Sequence, residues 1–135
     1  MHPHKPPERL KLHGPGSDYQ KGHDQLLALL DDLVGSGDSA AAAPLVEELS
    51  KRLKSHFAEE EGPDGVFTWL AACDATLGPV LRELEEDHEA LSAEMQSLVE
   101  QPTPEAFKVA AKAFAAHVKA HEAKEHAALD QALGD

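Results

Sequence analysis

The chain reads as an all-α protein, an antiparallel up-down four-helix bundle with an irregular N-terminal arm. Three observations predict this class. The composition is rich in Ala, Leu, Glu and Lys, and aromatic residues make up only 4% of it, a balance that favours helices over strands. Four stretches repeat their apolar residues at steps of three and four, the period of a helix with one buried face. Glycine and proline gather mainly between those stretches. At 135 residues the chain suffices for one domain around one core. Residues 1–16, rich in Pro, His and Lys and without period, form the arm; residues 17–135 form the bundle.

Each helix has its own start and stop. Gly14-Pro15-Gly16-Ser17-Asp18 is a break followed by a cap signal, and the first helix spans about Asp18 to Val34 with the seam Tyr19, His23, Leu26, Leu30 and Leu33. Gly35-Ser36-Gly37 ends it, and Asp38 or Ser39 caps the second helix, about Ala40 to Glu61, with Pro44 expected in its first turn or so. Its seam is Val46, Leu49, Leu53, His56 and Glu60. The run Asp64 to Ala75, holding Val66, Phe67, Trp69 and Leu70, reads as a short helix or packed loop covering one end of the bundle. The third long helix spans about Pro79 to Glu100, with Leu81, Leu84, His88, Leu91, Met95 and Leu98 in unbroken 3-4 spacing. Thr103 and Pro104 then open the fourth, which continues to Leu133. Phe107, Ala110, Ala111, Phe114 and Val118 lead its apolar face, which runs on into His117, His121, Glu122, Glu125, Ala128 and Leu129.

The seams therefore carry polar residues where leucine is usual. His56 and Glu60 lie one turn apart on one face of a helix, and His117 and His121 have the same spacing. A buried ionised carboxylate is costly unless it is paired or bound to metal. One seam histidine has a bland explanation as a core residue bonded to a carbonyl. A histidine on each of four seams, with carboxylates nearby on two of them, points to one polar layer crossing the core. Helix bundles build dimetal sites in that way from inward His and Glu. Imidazole with carboxylate suits Fe, Mn, Zn or Cu, and no thiolate cluster is present to select a softer ion.

Charge and cysteine content exclude other classes. A net charge of −13 repels nucleic-acid phosphates and anionic membrane surfaces, so neither is an expected partner. Cys73 is the single cysteine and reads as a small apolar residue beside Trp69. It forms no internal disulfide, the start lacks a signal-peptide core, and no run suits a membrane span. A cytoplasmic location is therefore expected.

The segments Gly22-His23-Asp24-Gln25-Leu26, Ser55-His56-Phe57-Ala58-Glu59-Glu60, Glu86-Asp87-His88-Glu89-Ala90-Leu91 and Phe114-Ala115-Ala116-His117-Val118, taken in that order, resemble the motifs of the hemerythrin-like (HHE cation-binding) family over about Ser17 to Leu133. The resemblance implies a non-haem diiron centre, two Fe ions with an oxo or hydroxo bridge, held by histidines and two bridging carboxylates. The metal ligands it implies are His23, His56, Glu60, His88, His117, His121 and Glu122, with Glu125 the alternative to Glu122. Oxygen-carrying members have a second histidine on the third helix, four residues from the first. Leu84 and Ser92 hold those positions here, and His121 is taken as the replacement. The expected ligand is dioxygen or another small diatomic or peroxide molecule, giving oxygen binding, storage or sensing. Redox handling of peroxide, nitric oxide or iron for cluster repair, and a metal-free structural bundle, are the alternatives. A metal and small-ligand binder is favoured over a classical enzyme.

Overall fold

Helix-forming composition and capping signals place five α-helices in the computed structural model, which describes residues 18–63 and 65–133, with side chains from Asp24 onward. They are α1 (Asp18–Val34), α2 (Ser39–Glu61), α3 (Val66–Cys73), α4 (Gly78–Leu98) and α5 (Pro104–Leu133), with a 3-10 turn at Ala75–Leu77. The expected arm and the cap signal up to Ser17 lie outside the described residues. The Asp38 carboxylate accepts from the Ala41 N–H at 2.7 Å and starts α2. Ser39, the alternative cap, instead donates to the Leu98 and Gln101 carbonyls, tying the start of α2 to the end of α4. Thr103 caps α5 by accepting from the Ala106 N–H. Pro44 lies in the second turn of α2, one turn deeper than expected, where its missing N–H removes a helical hydrogen bond.

Among the described residues α1, α2, α4 and α5 form a closed ring of neighbours: α1 packs on α2 and α5, and α4 packs on α2 and α5. Side-chain contacts set the directions. Glu61 meets His88 while Ser39 meets Leu98, so α2 and α4 are antiparallel. Lys124 meets Glu83 while His117 meets Glu94, so α4 and α5 are antiparallel. Arg52 donates to Gln25 across α1 and α2.

The core falls into two apolar clusters. The larger is built on Leu30, Leu49, Leu53, Leu91, Met95, Phe107 and Phe114. The smaller, built on Val66, Phe67, Leu70, Leu81, Leu84 and Leu129, fills the end covered by α3. Between them lies the polar layer. On α4, Leu84 belongs to one cluster, Leu91 to the other, and His88 sits midway; on α5, Val118 and Ala128 flank His121, Glu122 and Glu125 in the same way. No helix among the described residues is long and apolar enough to cross a membrane.

Candidate metal centre

Among the described residues five polar ones are buried in the core: Glu60 (2% exposed), His88 (4%), His121 (1%), Glu122 (8%) and Glu125 (0%). Their donor atoms fall into two groups. Glu60, His88, His121 and Glu125 each offer one ligand atom, all within 4.8 Å of one another. His56, Glu122 and Glu125 form a second set with the same spacing. Glu125 belongs to both. Glu60 also reaches both sides: its Oε1 lies 3.0 Å from His88 Nε2 and its Oε2 lies 3.1 Å from His56 Nε2. Two donor sets linked through these carboxylates could hold cations side by side.

The donor chemistry fits metal. Nε2 of His88, Nε2 of His121 and both Glu60 oxygens are buried, and no hydrogen bond among the described residues satisfies them. Buried polar atoms without a well-aligned hydrogen bond cost free energy, and a cation at the centre of such a set would compensate all of them at once. Burial pushes the Glu60 carboxyl well above its usual range, and the nearby carboxyls of Glu125, Glu122 and Glu61 push it further. Burial likewise lowers the His88 pKa, against the opposing pull of Glu61. Burial works against charging His121 too, but Glu125, Asp87 and Glu122 outweigh it and raise that imidazole. Asp87 is held below its ordinary value: burial is outweighed by His121, His117 and Lys124.

Of the seven ligands expected from the sequence, the structure brings together His56, Glu60, His88, His121 and Glu122. Glu125, expected only as the alternative to Glu122, joins them at the centre of both groups. The side chain of His23 lies outside those described. His117 stands apart. It is 29% exposed and directs Nδ1 to Glu94 and Nε2 to Asp87, 3.4 Å away. The buried face of α5 runs Phe107, Ala111, Phe114, Val118, His121, Glu125, Ala128 and Ala132, so Val118 and not His117 occupies the seam one turn before His121.

Aromatic rings wall the layer, one of them, Phe67, from the segment expected to cover the end of the bundle. Phe57 stacks on His88 with ring centroids 3.7 Å apart and planes 9° from parallel, and Phe67 lies nearly parallel to the same imidazole at 5.6 Å. A strict 3-4 pattern drifts around a 3.6-residue helix. By the end of α2 the buried stripe has therefore moved from His56 to Phe57, leaving His56 at the edge of the layer with 15% of its side chain exposed. The buried pattern Leu53, Phe57, Glu60 was the available signal. Outside the layer, Cys73 is partly buried against the smaller cluster that contains Trp69, and its thiol pKa is raised by burial and by Asp74.

The family model of the hemerythrin HHE cation-binding domain matches residues 18–131, which takes in all four long helices and both donor groups. Searches of curated proteins and of solved structures return no match.

Proposed function

Because the chain belongs to the hemerythrin HHE cation-binding domain family, we propose that it binds dioxygen or a related small ligand at a diiron centre inside the bundle. The observation that carries this is the sharing of Glu60 and Glu125 between two sets of donors. His88 and His121, with Glu60 and Glu125, would hold one ion. His56 and Glu122, with the same two carboxylates, would hold the other. His23, on α1, would be the further ligand that membership of the family implies. When bound, such a centre would supply electrons to a small ligand such as dioxygen, peroxide or nitric oxide.

The chain's own part is to hold the ions and keep bulk water away. Glu60, Glu122 and Glu125 carry charge that offsets two dications in a layer walled by Phe57, Phe67, Leu84 and Leu91.

The test is the absorption spectrum of iron-loaded protein, recorded without oxygen, with oxygen, and after oxygen is removed again. A visible band that appears with oxygen and disappears on its removal supports reversible binding. A band that forms once and is not reversed assigns redox chemistry instead, the alternative function at the same site. Iron that fails to load returns the chain to a structural bundle.

A further inference from the structure

We propose that Asp87 and Glu61 are positioning residues, each holding the Nδ1 side of one buried imidazole so that its Nε2 is turned to the metal positions. Asp87 acts on His121 and Glu61 on His88. The inference rests on the metal-centre reading and adds two residues that belong to neither donor group.

The geometry is the same at both rings. Nδ1 of His121 lies 3.3 Å from Oδ2 of Asp87, while its Nε2 lies 3.3 Å from Glu125 in the buried layer. Nδ1 of His88 is hydrogen-bonded with Oε2 of Glu61, while its Nε2 lies 3.0 Å from Glu60. A neutral imidazole carries one proton, and an ionised carboxylate can only accept. The carboxylate on Nδ1 therefore fixes the proton there and leaves the Nε2 lone pair for a cation.

The two supports follow one rule across the bundle. Glu61 follows Glu60 on α2 and serves His88 on α4; Asp87 precedes His88 on α4 and serves His121 on α5. The neighbour in sequence of one donor thus orients the histidine of the next helix. Asp87 is itself fixed. Its Oδ1 meets His117 Nε2 at 3.4 Å, its Oδ2 meets the Lys124 ammonium at 3.6 Å, and His117 is tied in turn to Glu94. The fourth-helix histidine that misses the metal layer therefore braces the carboxylate that aims His121.

Zinc, which is diamagnetic, serves as the probe metal. The side chains of Asp87 and Glu61 are 23% and 40% exposed, so Asp87→Ala and Glu61→Ala are expected to fold, with Asp87→Asn as an isosteric second variant. Two readouts are taken: zinc affinity by competition with a chelator, and the imidazole ring-proton signals in long-range proton–nitrogen spectra of the zinc form. The expected result is an affinity lower by about 10- to 100-fold, the usual effect of losing such a support, with Asp87→Glu recovering part of it. Asp87→Ala should broaden or shift the Nδ1–H signal of His121 and spare that of His88, and Glu61→Ala should do the reverse. Unchanged affinity, or a signal loss shared by both rings in either variant, overturns the assignment. Wild-type protein that binds no zinc and no iron overturns the metal-centre reading and this inference together; wild-type binding with indifferent variants overturns only the inference.

Discussion

At the scale of single residues, the site turns on which carboxylates are shared. Glu125 contributes to both donor groups and Glu122 to one. Glu125→Gln is expected to lower metal affinity by more than about 100-fold, beyond what losing a supporting residue costs, because glutamine keeps the size but bridges cations poorly. His117→Ala, at a partly exposed position outside both groups, should lose far less metal than Glu125→Gln, since it touches the layer only through Asp87. Metal analysis after desalting measures both, and equal losses would contradict the assignment. The placement of helix-four residues was only partly legible in the sequence. His117, His121, Glu122 and Glu125 fall within nine positions, and helical spacing alone permits more than one pair to converge. The choice was made by packing, through the position of Val118 in the seam.

Glu60 gives a test that needs no metal. Its pKa in the fold lies well above the ordinary 4.5 because of burial and the neighbouring carboxyls. The folded chain therefore keeps a proton that the unfolded chain releases. The associated stability is fully present below the ordinary carboxylate value and is lost as pH rises through the raised one. In metal-free protein at neutral pH, Glu60→Gln is expected to be the more stable form by about 1 kcal/mol or more, on the order of 4 °C in melting temperature. The advantage should vanish near pH 4 and should be reversed by adding iron. Thermal melts at the two pH values, with and without iron, check it; a metal-free variant less stable than wild type at neutral pH would refute the account of this carboxyl.

At the scale of elements, the turn between α2 and α3 holds the site from below. A Cβ on Gly65 would lie closer than 3.0 Å to the carbonyl oxygens of both Glu59 and Glu60. Glycine alone lets α3 come this near to the backbone that carries Glu60. Gly65→Ala is expected to destabilise the fold by about 1–3 kcal/mol, the cost of inserting an atom into a packed contact, and to weaken metal binding by displacing Glu60. Denaturant melts and chelator competition measure the two effects, and an alanine variant with wild-type values for both would show that the contact yields freely. The long helices were legible because caps, breakers and a 3-4 seam all agreed on them. The short α3 was legible only as a packed segment, since eight residues give too little periodicity to separate a helix from a loop.

At the scale of the whole molecule, two apolar clusters are joined through a polar layer that is stable only if its charges are compensated. Removing metal should therefore loosen the bundle as a unit. At a hundredfold excess over Kd, a bound ion contributes about 2.7 kcal/mol, or about 10 °C in melting temperature for a domain of this size. That difference between metal-loaded and chelated protein should shrink as pH falls below about 6, where protons compete for imidazole. Calorimetry with and without chelator across pH tests it, and superimposable curves at neutral pH would speak against a metal-linked core. The up-down topology itself follows from short connections and could be read early. The depth at which the four seams align could not, because it depends on helix offsets that packing sets.

The central claim is that the buried layer holds two ions through shared carboxylates. The most direct measurement is the metal-to-protein ratio of untagged protein loaded with ferrous iron without oxygen and then freed of excess metal. The account predicts about two irons per chain, bound together, with Glu125→Gln losing both. A reproducible value near one in the wild type, or near zero, would contradict it.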